Sequence, residues 1–291
     1  MRPHPRMLAA VALSAGVLGG AALPVPSAHA AVLPTAVSDS TREAPARSPL
    51  PVDVARRVLG TVSAAVRMDA SAARTMRVEA AVGRLAGAVR RQSHPDALRL
   101  AFKAYYNYRN AHPREVRKPY LYFVDYGLGA DTPRGYVFDM DALTVVEGPF
   151  AVAHGRGSAA VDGVPTQFSN RPGSNATSLG LFLAQETYGF NGSAGGGHYR
   201  SIGLRMRGLS GLFNSRARAR GVVVHGAPYV SDRSAGRSEG CPAMEQSRAR
   251  RLIPLISNGG LVFLFSPLDP AWLRSEPWSH DLEGKLAMAR R

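Results

Sequence analysis

From residue 119 onward the chain alternates short apolar runs with clusters of glycine, proline, aspartate and asparagine. The runs "YLYFVDYG", "GYVFDM", "LTVVEGPFAVAHG", "GVVVHG" and "LVFLF" are rich in β-branched and aromatic residues, as is typical of strands between tight turns. Helical periodicity is sparse here and is clearest in "CPAMEQSRARRLIPLISNGG", which ends at an asparagine and a double glycine. The pattern predicts a mainly β domain with few helices over residues 119–291.

A different pattern precedes this domain, where apolar residues recur every three or four positions. They are Val54, Val58, Val62 and Val66, then Val78, Val82, Leu85 and Val89, and finally Leu98, Ala101, Phe102, Tyr105 and Tyr108. The spacing predicts a short α-helical segment over residues 52–118, whose last helix begins near Pro95 and closes at "NAHP". This last helix either packs on the following domain or lies on a membrane surface.

The first thirty residues have the pattern of an export signal. Two arginines precede an apolar run from Met7 to about Leu23, and "AHA" at residues 28–30 fits the small-x-small cleavage rule. The run is short and rich in glycine and alanine for a membrane span, so a retained anchor is the less favoured alternative. We expect an exported protein of the periplasm or cell wall, with no transmembrane segment in the mature chain. Residues 31–51, rich in proline, serine and alanine, predict a linker.

The charge is concentrated in the N-terminal part. The chain has 36 Lys and Arg against 21 Asp and Glu, a formal net charge of +15, and residues 31–118 alone carry +9. In an exported protein such an excess favours anionic envelope polymers or lipid headgroups over nucleic acid. We therefore expect the basic segment to determine location rather than reaction, and we expect no nucleic-acid partner.

Cys241 is the only cysteine in the chain and the candidate nucleophile. A lone thiol in an oxidising compartment is a liability unless it is buried and inert or present for its chemistry. "GVVVHG" predicts a strand that ends at His225, sixteen residues before the cysteine, and Pro242 predicts a helix with Cys241 at its N-cap. There the macrodipole favours the thiolate and the imidazole accepts its proton. The backbone N–H groups of Gly240 and Cys241 could then face a developing oxyanion.

Alternative roles for these residues stay open. Cys241 could be a buried structural thiol, and His225 could be a strand-end histidine bonded to backbone, although a Ser/Gly/Pro setting is a poor apolar pocket. His154 in "VAHGRG" could orient another residue, contact substrate or be an ordinary loop histidine. A zinc site of His154, His225, Cys241 and Asp232 would lack the short paired spacings of zinc ligands, so we expect no metal and no cofactor. The glycine-rich "NGSAGGGHYR" lacks the ending of a phosphate loop and predicts a flexible flap beside the site.

The whole phrase of strand, His-Gly, polar loop and Ser-x-Gly-Cys-Pro resembles the bacterial L,D-transpeptidases of the YkuD type, whose signature is His-Gly followed by Ser-His-Gly-Cys. It is more similar to a divergent branch of murein L,D-transpeptidase catalytic domains, with phrases such as "FVDYG", "VAHGRGS", "FSNRPGSNATSLG" and "GRSEGCPAM". The resemblance extends from about Tyr120 to Phe265 and leaves out the N-terminal helices. Glu239 stands where the larger family has histidine, and Met244 where many members carry arginine.

The resemblance implies Cys241 as nucleophile and His225 as base, with the backbone carbonyl of Gly226 orienting the imidazole. Gly240, Ser238, Arg237, His154 and Tyr229 complete the predicted oxyanion and substrate-binding set. Arg237, Arg233 or Arg156 would have to replace the missing arginine as the anchor for a substrate carboxylate.

The implied substrates are peptidoglycan stem peptides. In the family's chemistry the thiolate attacks the carbonyl of the diamino acid at stem position three, D-Ala leaves, and an amine of a second stem resolves the thioester. With water in place of the amine, the same acyl-enzyme would make an L,D-carboxypeptidase. A non-catalytic basic wall-binding protein, in which Cys241 is incidental, is the alternative from another class.

Overall fold

The structure is a computed structural model that describes residues 52–232 and 234–280. The predicted export signal and linker lie outside the described residues, as does Arg233. Within the described residues ten strands and four α-helices are found, and most of the strands belong to one large mixed sheet. The predicted fold class, mainly β and preceded by a helical segment, is confirmed.

The four helices are α1 (Val52–Leu85), α2 (Ala97–Ala111), α3 (Gln246–Ile256) and α4 (Pro270–Ser275). The helix α1 runs without a break through most of the two predicted valine series, and its last turns bury Val78 and Leu85. The helix α2 buries its apolar face, and Phe102 meets Phe138 edge to face with ring centroids 5.4 Å apart. Of the two alternatives for this helix, the structure shows packing on the β-rich region.

The ten strands are β1 (Tyr120–Asp125), β2 (Gly135–Asp139), β3 (Thr144–Phe150), β4 (His154–Gly155), β5 (Gly180–Ala194), β6 (Gly197–Gly208), β7 (Val223–Ala227), β8 (Arg237–Ser238), β9 (Ala243–Glu245) and β10 (Leu261–Phe265). Eight of them form a sheet in the order β3-β2-β1-β10-β5-β6-β7-β9. The pairs β1–β10 and β7–β9 are parallel, and the other neighbours are antiparallel. The short strands β4 and β8 pair in parallel outside this sheet.

The core lies where helices cover the central strands. Every residue of β10 is buried, as are the last five of β1, which is why both read as continuous apolar runs rather than alternating ones. The helix α2 contacts β1 and β10, while α3 contacts β6, β7 and β9. The sheet edge formed by β7 and β9 is therefore held from one side by α3.

The glycine-rich stretch forms the tip of the long β5–β6 hairpin. The pairing continues without a shift from Thr187 opposite Leu204 to Ala194 opposite Gly197. The two tip residues, Gly195 and Gly196, have φ of 57° and 80°, a left-handed turn that suits glycine and matches the twist of a hairpin. Residues 190–193 and Tyr199 of this hairpin line the site described below.

None of the helices within residues 52–280 that the structure describes has both the length and the hydrophobicity to cross a membrane.

Candidate active site

The chain does not enter a helix directly after Cys241, so the predicted N-cap position of this cysteine is wrong. The strand β9 follows Pro242, and α3 begins only after its N-cap residue Glu245. The backbone stays extended because it pairs in parallel with β7, where Ala243 lies opposite His225 and the His225 N–H donates to the Pro242 carbonyl at 3.3 Å. The positive end of the α3 macrodipole therefore does not lie at the thiol.

The parallel pairing nevertheless brings Cys241 beside the strand that carries His225. Extending the register by two residues sets Cys241 next to Val223, whose N–H lies 3.5 Å from the sulfur. Both His225 and Cys241 line one cavity of about 350 Å³. The complete lining is Phe190, Asn191, Gly192, Ser193, Tyr199, His225, Tyr229, Arg237, Ser238, Glu239 and Cys241.

The thiol of Cys241 is half-buried and contacts backbone. Its sulfur accepts the weak hydrogen bond from Val223 and donates to the carbonyl of Gly221 at 3.8 Å. Burial raises the pKa of the Cys241 thiol, while the Val223 N–H and the charge of Arg220 lower it and that of Glu239 raises it. The net pKa is higher than usual, so the thiol is protonated at neutral pH and needs a base.

The imidazole of His225 is suited to accept that proton. The side chain is 2% exposed, and its Nδ1 lies 3.1 Å from the carbonyl oxygen of Gly226, the contact that the resemblance implies. Because a carbonyl oxygen only accepts, Nδ1 carries the proton and Nε2 is left free to accept one. Burial lowers the pKa of His225 to about 4, with the Gly226 carbonyl opposing, so the ring is neutral at pH 7.

Aromatic side chains enclose this imidazole. The ring of Phe190 stacks on it at 4.1 Å, Tyr229 meets it edge-on at 6.5 Å, and the Tyr199 hydroxyl lies 3.5 Å from Nδ1. Sequence reasoning singled out Tyr229 but missed Phe190 and Tyr199. The available signal was two aromatic residues flanking the glycine-rich turn, which the hairpin register brings to within 6.1 Å of each other.

Ser238 holds the conformation of the loop that carries Cys241. Its buried hydroxyl donates to the Cys241 carbonyl at 2.6 Å and accepts the Gly240 N–H at 3.2 Å. The Gly240 N–H, predicted to face an oxyanion, is therefore directed at this hydroxyl in the structure. Gly240 has φ of 113°, a conformation that other residues rarely adopt.

The strand pair β4–β8 connects this loop to the segment that carries His154. The β4–β8 pairing sets His154 opposite Arg237 and Gly155 opposite Ser238. Gly155 lies so close to the loop that a Cβ there would come within 2.7 Å of the Gly240 Cα. The segment around His154 therefore packs directly against residues 238–241, here called the cysteine loop.

His154 is fully buried and does not line the cavity. The buried guanidinium of Arg134 lies 2.9 Å from its Nδ1 and also donates to the carbonyls of Val152 and Leu128. Because a guanidinium only donates, Nε2 carries the proton, and this atom has no hydrogen-bond partner. Burial and the charge of Arg134 lower the pKa of His154 to about 3.

The candidate arginines occupy different positions. Arg237 lines the cavity and forms no ion pair within the described residues. Arg156 donates to both carboxylate oxygens of Glu239 at 2.8 Å.

The residues considered as zinc ligands do not form a metal site. Asp232 pairs with Arg248 at 3.2 Å, and across the described part of the chain no three His, Cys, Asp or Glu side chains come together in a way that could hold a metal ion.

The family comparison covers most of the β-rich region. A profile described as the L,D-transpeptidase catalytic domain matches residues 90–265. The match begins thirty residues before Tyr120 and so includes α2, which the resemblance drawn from the motifs had left out. A comparison with curated protein sequences finds no match.

Solved structures of L,D-transpeptidases are similar to part of the chain. The enzyme from Mycobacterium smegmatis is 16% identical, with a TM-score of 0.31 over 50% of this chain and 58% of that one. The one from Stackebrandtia nassauensis is 16% identical, with a TM-score of 0.32 over 57% of this chain and 66% of that one. The one from Xylanimonas cellulosilytica is 18% identical, with a TM-score of 0.30 over 51% of this chain and 61% of that one. The chain thus spans less than two thirds of each of these structures. With the catalytic-domain profile matching more than half of its length, the chain belongs to the L,D-transpeptidase catalytic domain family.

Proposed function

We propose that this protein is an exported cysteine acyltransferase that acts on peptidoglycan stem peptides, an L,D-transpeptidase with Cys241 as its nucleophile. The observation that carries the proposal is that Cys241 and His225 line one cavity inside the region that matches the L,D-transpeptidase catalytic domain. The substrate class and the roles of Cys241 and His225 are those that the family implies, and the shared cavity supports them.

In the first half-reaction the thiol attacks the carbonyl carbon of the diamino acid at stem position three. The Cys241 thiol and the His225 imidazole are both neutral at pH 7, so the proton moves from sulfur to Nε2 as the C–S bond forms. The Gly226 carbonyl, 3.1 Å from Nδ1, fixes the ring in the tautomer that accepts at Nε2. The electron pair of the C=O bond moves to oxygen and forms the oxyanion.

Collapse of this intermediate breaks the C–N bond, and the imidazolium gives its proton to the nitrogen of the departing D-Ala. A thioester on Cys241 remains. The amine of a second stem then attacks the thioester, transfers a proton to His225, and expels the thiolate, which recovers the proton. The backbone N–H groups of Cys241 and Gly240 are the donors nearest in sequence to the reacting sulfur. The Gly240 N–H is bonded at 3.2 Å to the Ser238 hydroxyl and would have to turn to reach the oxyanion.

Arg237 is the side chain suited to bind a substrate carboxylate. It lines the cavity and forms no ion pair among the described residues, whereas Arg156 already holds Glu239. A guanidinium forms paired hydrogen bonds to a carboxylate, which fixes orientation as well as position. Arg237 would then replace the arginine that many family members carry where this chain has the buried Met244.

The proposed location is the periplasm or cell wall. The apolar run and cleavage pattern of residues 1–30 support export, and the charge of +9 over residues 31–118 supports attachment to anionic envelope polymers. Electrostatic attachment of exposed charges weakens as the Debye length falls from about 10 Å at 0.1 M salt to about 3 Å at 1 M. Sedimentation with isolated cell envelopes should therefore decrease as salt rises.

The activity is tested by incubating the purified protein with tetrapeptide muropeptides and weighing the products. A transpeptidase gives cross-linked dimers and free D-Ala, and wild type should show a protein adduct with the mass of the tripeptide acyl group. Cys241→Ser should lose both, because the hydroxyl at its ordinary pKa is a far weaker nucleophile, while keeping the fold.

Two other products would change the assignment. Uncross-linked tripeptide with free D-Ala would identify a carboxypeptidase, in which water resolves the thioester. If neither product forms but the protein still binds cell walls, it is a non-catalytic wall-binding protein. Full activity of Cys241→Ser would show that the thiol is not the nucleophile.

A further inference from the structure

Arg220 lies three residues before the strand that carries His225, and the hydrogen bonds of its guanidinium go to neutral oxygen atoms. Nη1 donates to the Ser169 carbonyl at 2.7 Å and to the Ser178 hydroxyl at 2.5 Å. Nη2 donates to the Ser174 hydroxyl at 3.1 Å and to the Ala176 carbonyl at 2.8 Å. These four bonds attach residues 169–178, here called the serine loop, to the segment that leads into β7.

Among the described residues, no carboxylate pairs with the charge of Arg220. Within residues 52–232 and 234–280 this half-buried side chain takes part in no ion pair, whereas Arg218, two residues earlier, pairs with Glu186 at 2.8 Å. A partly desolvated cation without a counter-charge favours an anion nearby, because the local dielectric is lower than that of water.

The group positioned to become that anion is the thiol of Cys241. Its sulfur contacts the carbonyl of Gly221, the residue after Arg220. On the other side, the Ala176 carbonyl that accepts from Arg220 lies against Gly240, where a Cβ would be only 3.0 Å away. Two contacts thus connect Arg220 with the residues around the sulfur, one through the carbonyl of the adjacent Gly221 and one through the Ala176 carbonyl in the serine loop.

The electrostatics agree with this geometry. The positive charge of Arg220 lowers the pKa of the Cys241 thiol and so opposes the effect of burial. In the other direction, burial lowers the pKa of the Arg220 guanidinium and the Cys241 side chain raises it.

We propose that Arg220 is a positioning residue that supplies the counter-charge for the Cys241 thiolate, both when the sulfur attacks and when it leaves the thioester. In the first step the S–H bond breaks as the C–S bond forms, the proton goes to His225 Nε2, and Arg220 stabilises the negative charge that develops on sulfur. In the second half-reaction the C–S bond breaks and the same charge favours the departing thiolate. The inference rests on the proposed function for the identity of the nucleophile.

The test measures the thiol itself and uses no peptidoglycan. The rate of alkylation of the single cysteine by iodoacetamide at pH 8 is compared in wild type, Arg220→Gln, Arg220→Lys and the matched control Arg218→Gln. We expect Arg220→Gln to slow alkylation about tenfold, because loss of a nearby opposite charge raises a pKa by about one or more. Arg220→Lys, which keeps the charge, and Arg218→Gln should stay within about twofold of wild type.

A second variant separates charge from support of the loop. The double substitution Ser174→Ala with Ser178→Ala removes two of the four hydrogen bonds and leaves the charge in place, so its alkylation rate should also stay within about twofold. Its rate and that of Arg220→Lys can still overturn the inference if Arg220→Gln does not fold, as judged by circular dichroism. A tenfold loss in the serine variant or in Arg220→Lys, or no loss in a folded Arg220→Gln, would overturn the inference. A normal alkylation pattern with no turnover of muropeptides would instead contradict only the proposed function.

Discussion

The phenyl ring of Phe190 lies nearly flat on the imidazole of His225, with centroids 4.1 Å apart and an interplanar angle of 20°. Phe190 comes from the far half of β5, and His225 comes from β7 on the other side of β6. Gly203 lies between them in the sheet, and a Cβ there would come within 3.2 Å of the Phe190 Cβ. The hairpin thus covers the imidazole and helps to keep it neutral.

Removing this cover should raise the pKa of His225. In Phe190→Ala water reaches the ring, so the pKa should rise from about 4 toward the ordinary value of about 6.5. Because only the neutral imidazole accepts a proton, the acid limb of the kcat/KM profile should move to higher pH by about one or more. Phe190→Leu, which keeps an apolar cover, should move it less, and an acid limb unchanged in Phe190→Ala would show that the stack does not control the base.

The low pKa of His225 also makes a prediction about stability. The folded chain protonates His225 only near pH 4, whereas the unfolded chain protonates it near pH 6.5. The contribution of the neutral imidazole to the free energy of unfolding is therefore complete above pH 6.5 and is lost as the pH falls toward 4. The difference corresponds to about 3 kcal/mol. Urea unfolding of wild type and His225→Gln at pH 7 and pH 4 should show a smaller loss for the variant. Equal losses would mean that the folded chain protonates His225 at its ordinary pKa.

Arg237 should affect substrate binding more than the chemical step. Charged hydrogen bonds contribute about 1.5–3 kcal/mol, so Arg237→Gln should raise KM for tetrapeptide muropeptides roughly tenfold to 100-fold with a smaller change in kcat. Arg156→Gln is the matched control, because Arg156 is engaged by Glu239. Steady-state kinetics that gave the larger KM increase to Arg156→Gln would move the carboxylate anchor to that residue.

The contact between Gly155 and the cysteine loop predicts a steric effect. A methyl group at Gly155 would lie 2.2 Å from the Asn175 carbonyl oxygen and 2.7 Å from the Gly240 Cα, and both are backbone atoms that cannot rotate away. Gly155→Ala should therefore lower the free energy of unfolding by about 1–3 kcal/mol and reduce turnover by displacing the loop. Gly189→Ala, where no atom lies within 4 Å of the added Cβ, should leave both nearly unchanged. Comparable losses in the two variants would argue against this contact.

The amino-acid pattern alone was sufficient for the fold class and for the pair of candidate catalytic residues. Apolar runs rich in β-branched residues predicted strands such as β7 and β10, because burial and strand preference act on residues that are close in sequence. The phrase from His225 to Cys241 identified the family, which the match to residues 90–265 confirmed.

The surroundings of the thiol were decided by contacts between distant parts of the chain. Pro242 is compatible with a helix start and with an extended strand, and the parallel pairing of β9 with β7 selected the strand. Phe190 and Tyr199 reached His225 only through the register of the β5–β6 hairpin, and the bonds from Arg220 to the serine loop join segments about fifty residues apart. Local pattern records which face of an element is buried, but the choice of neighbour depends on sheet register and on backbone hydrogen bonds between segments far apart in sequence.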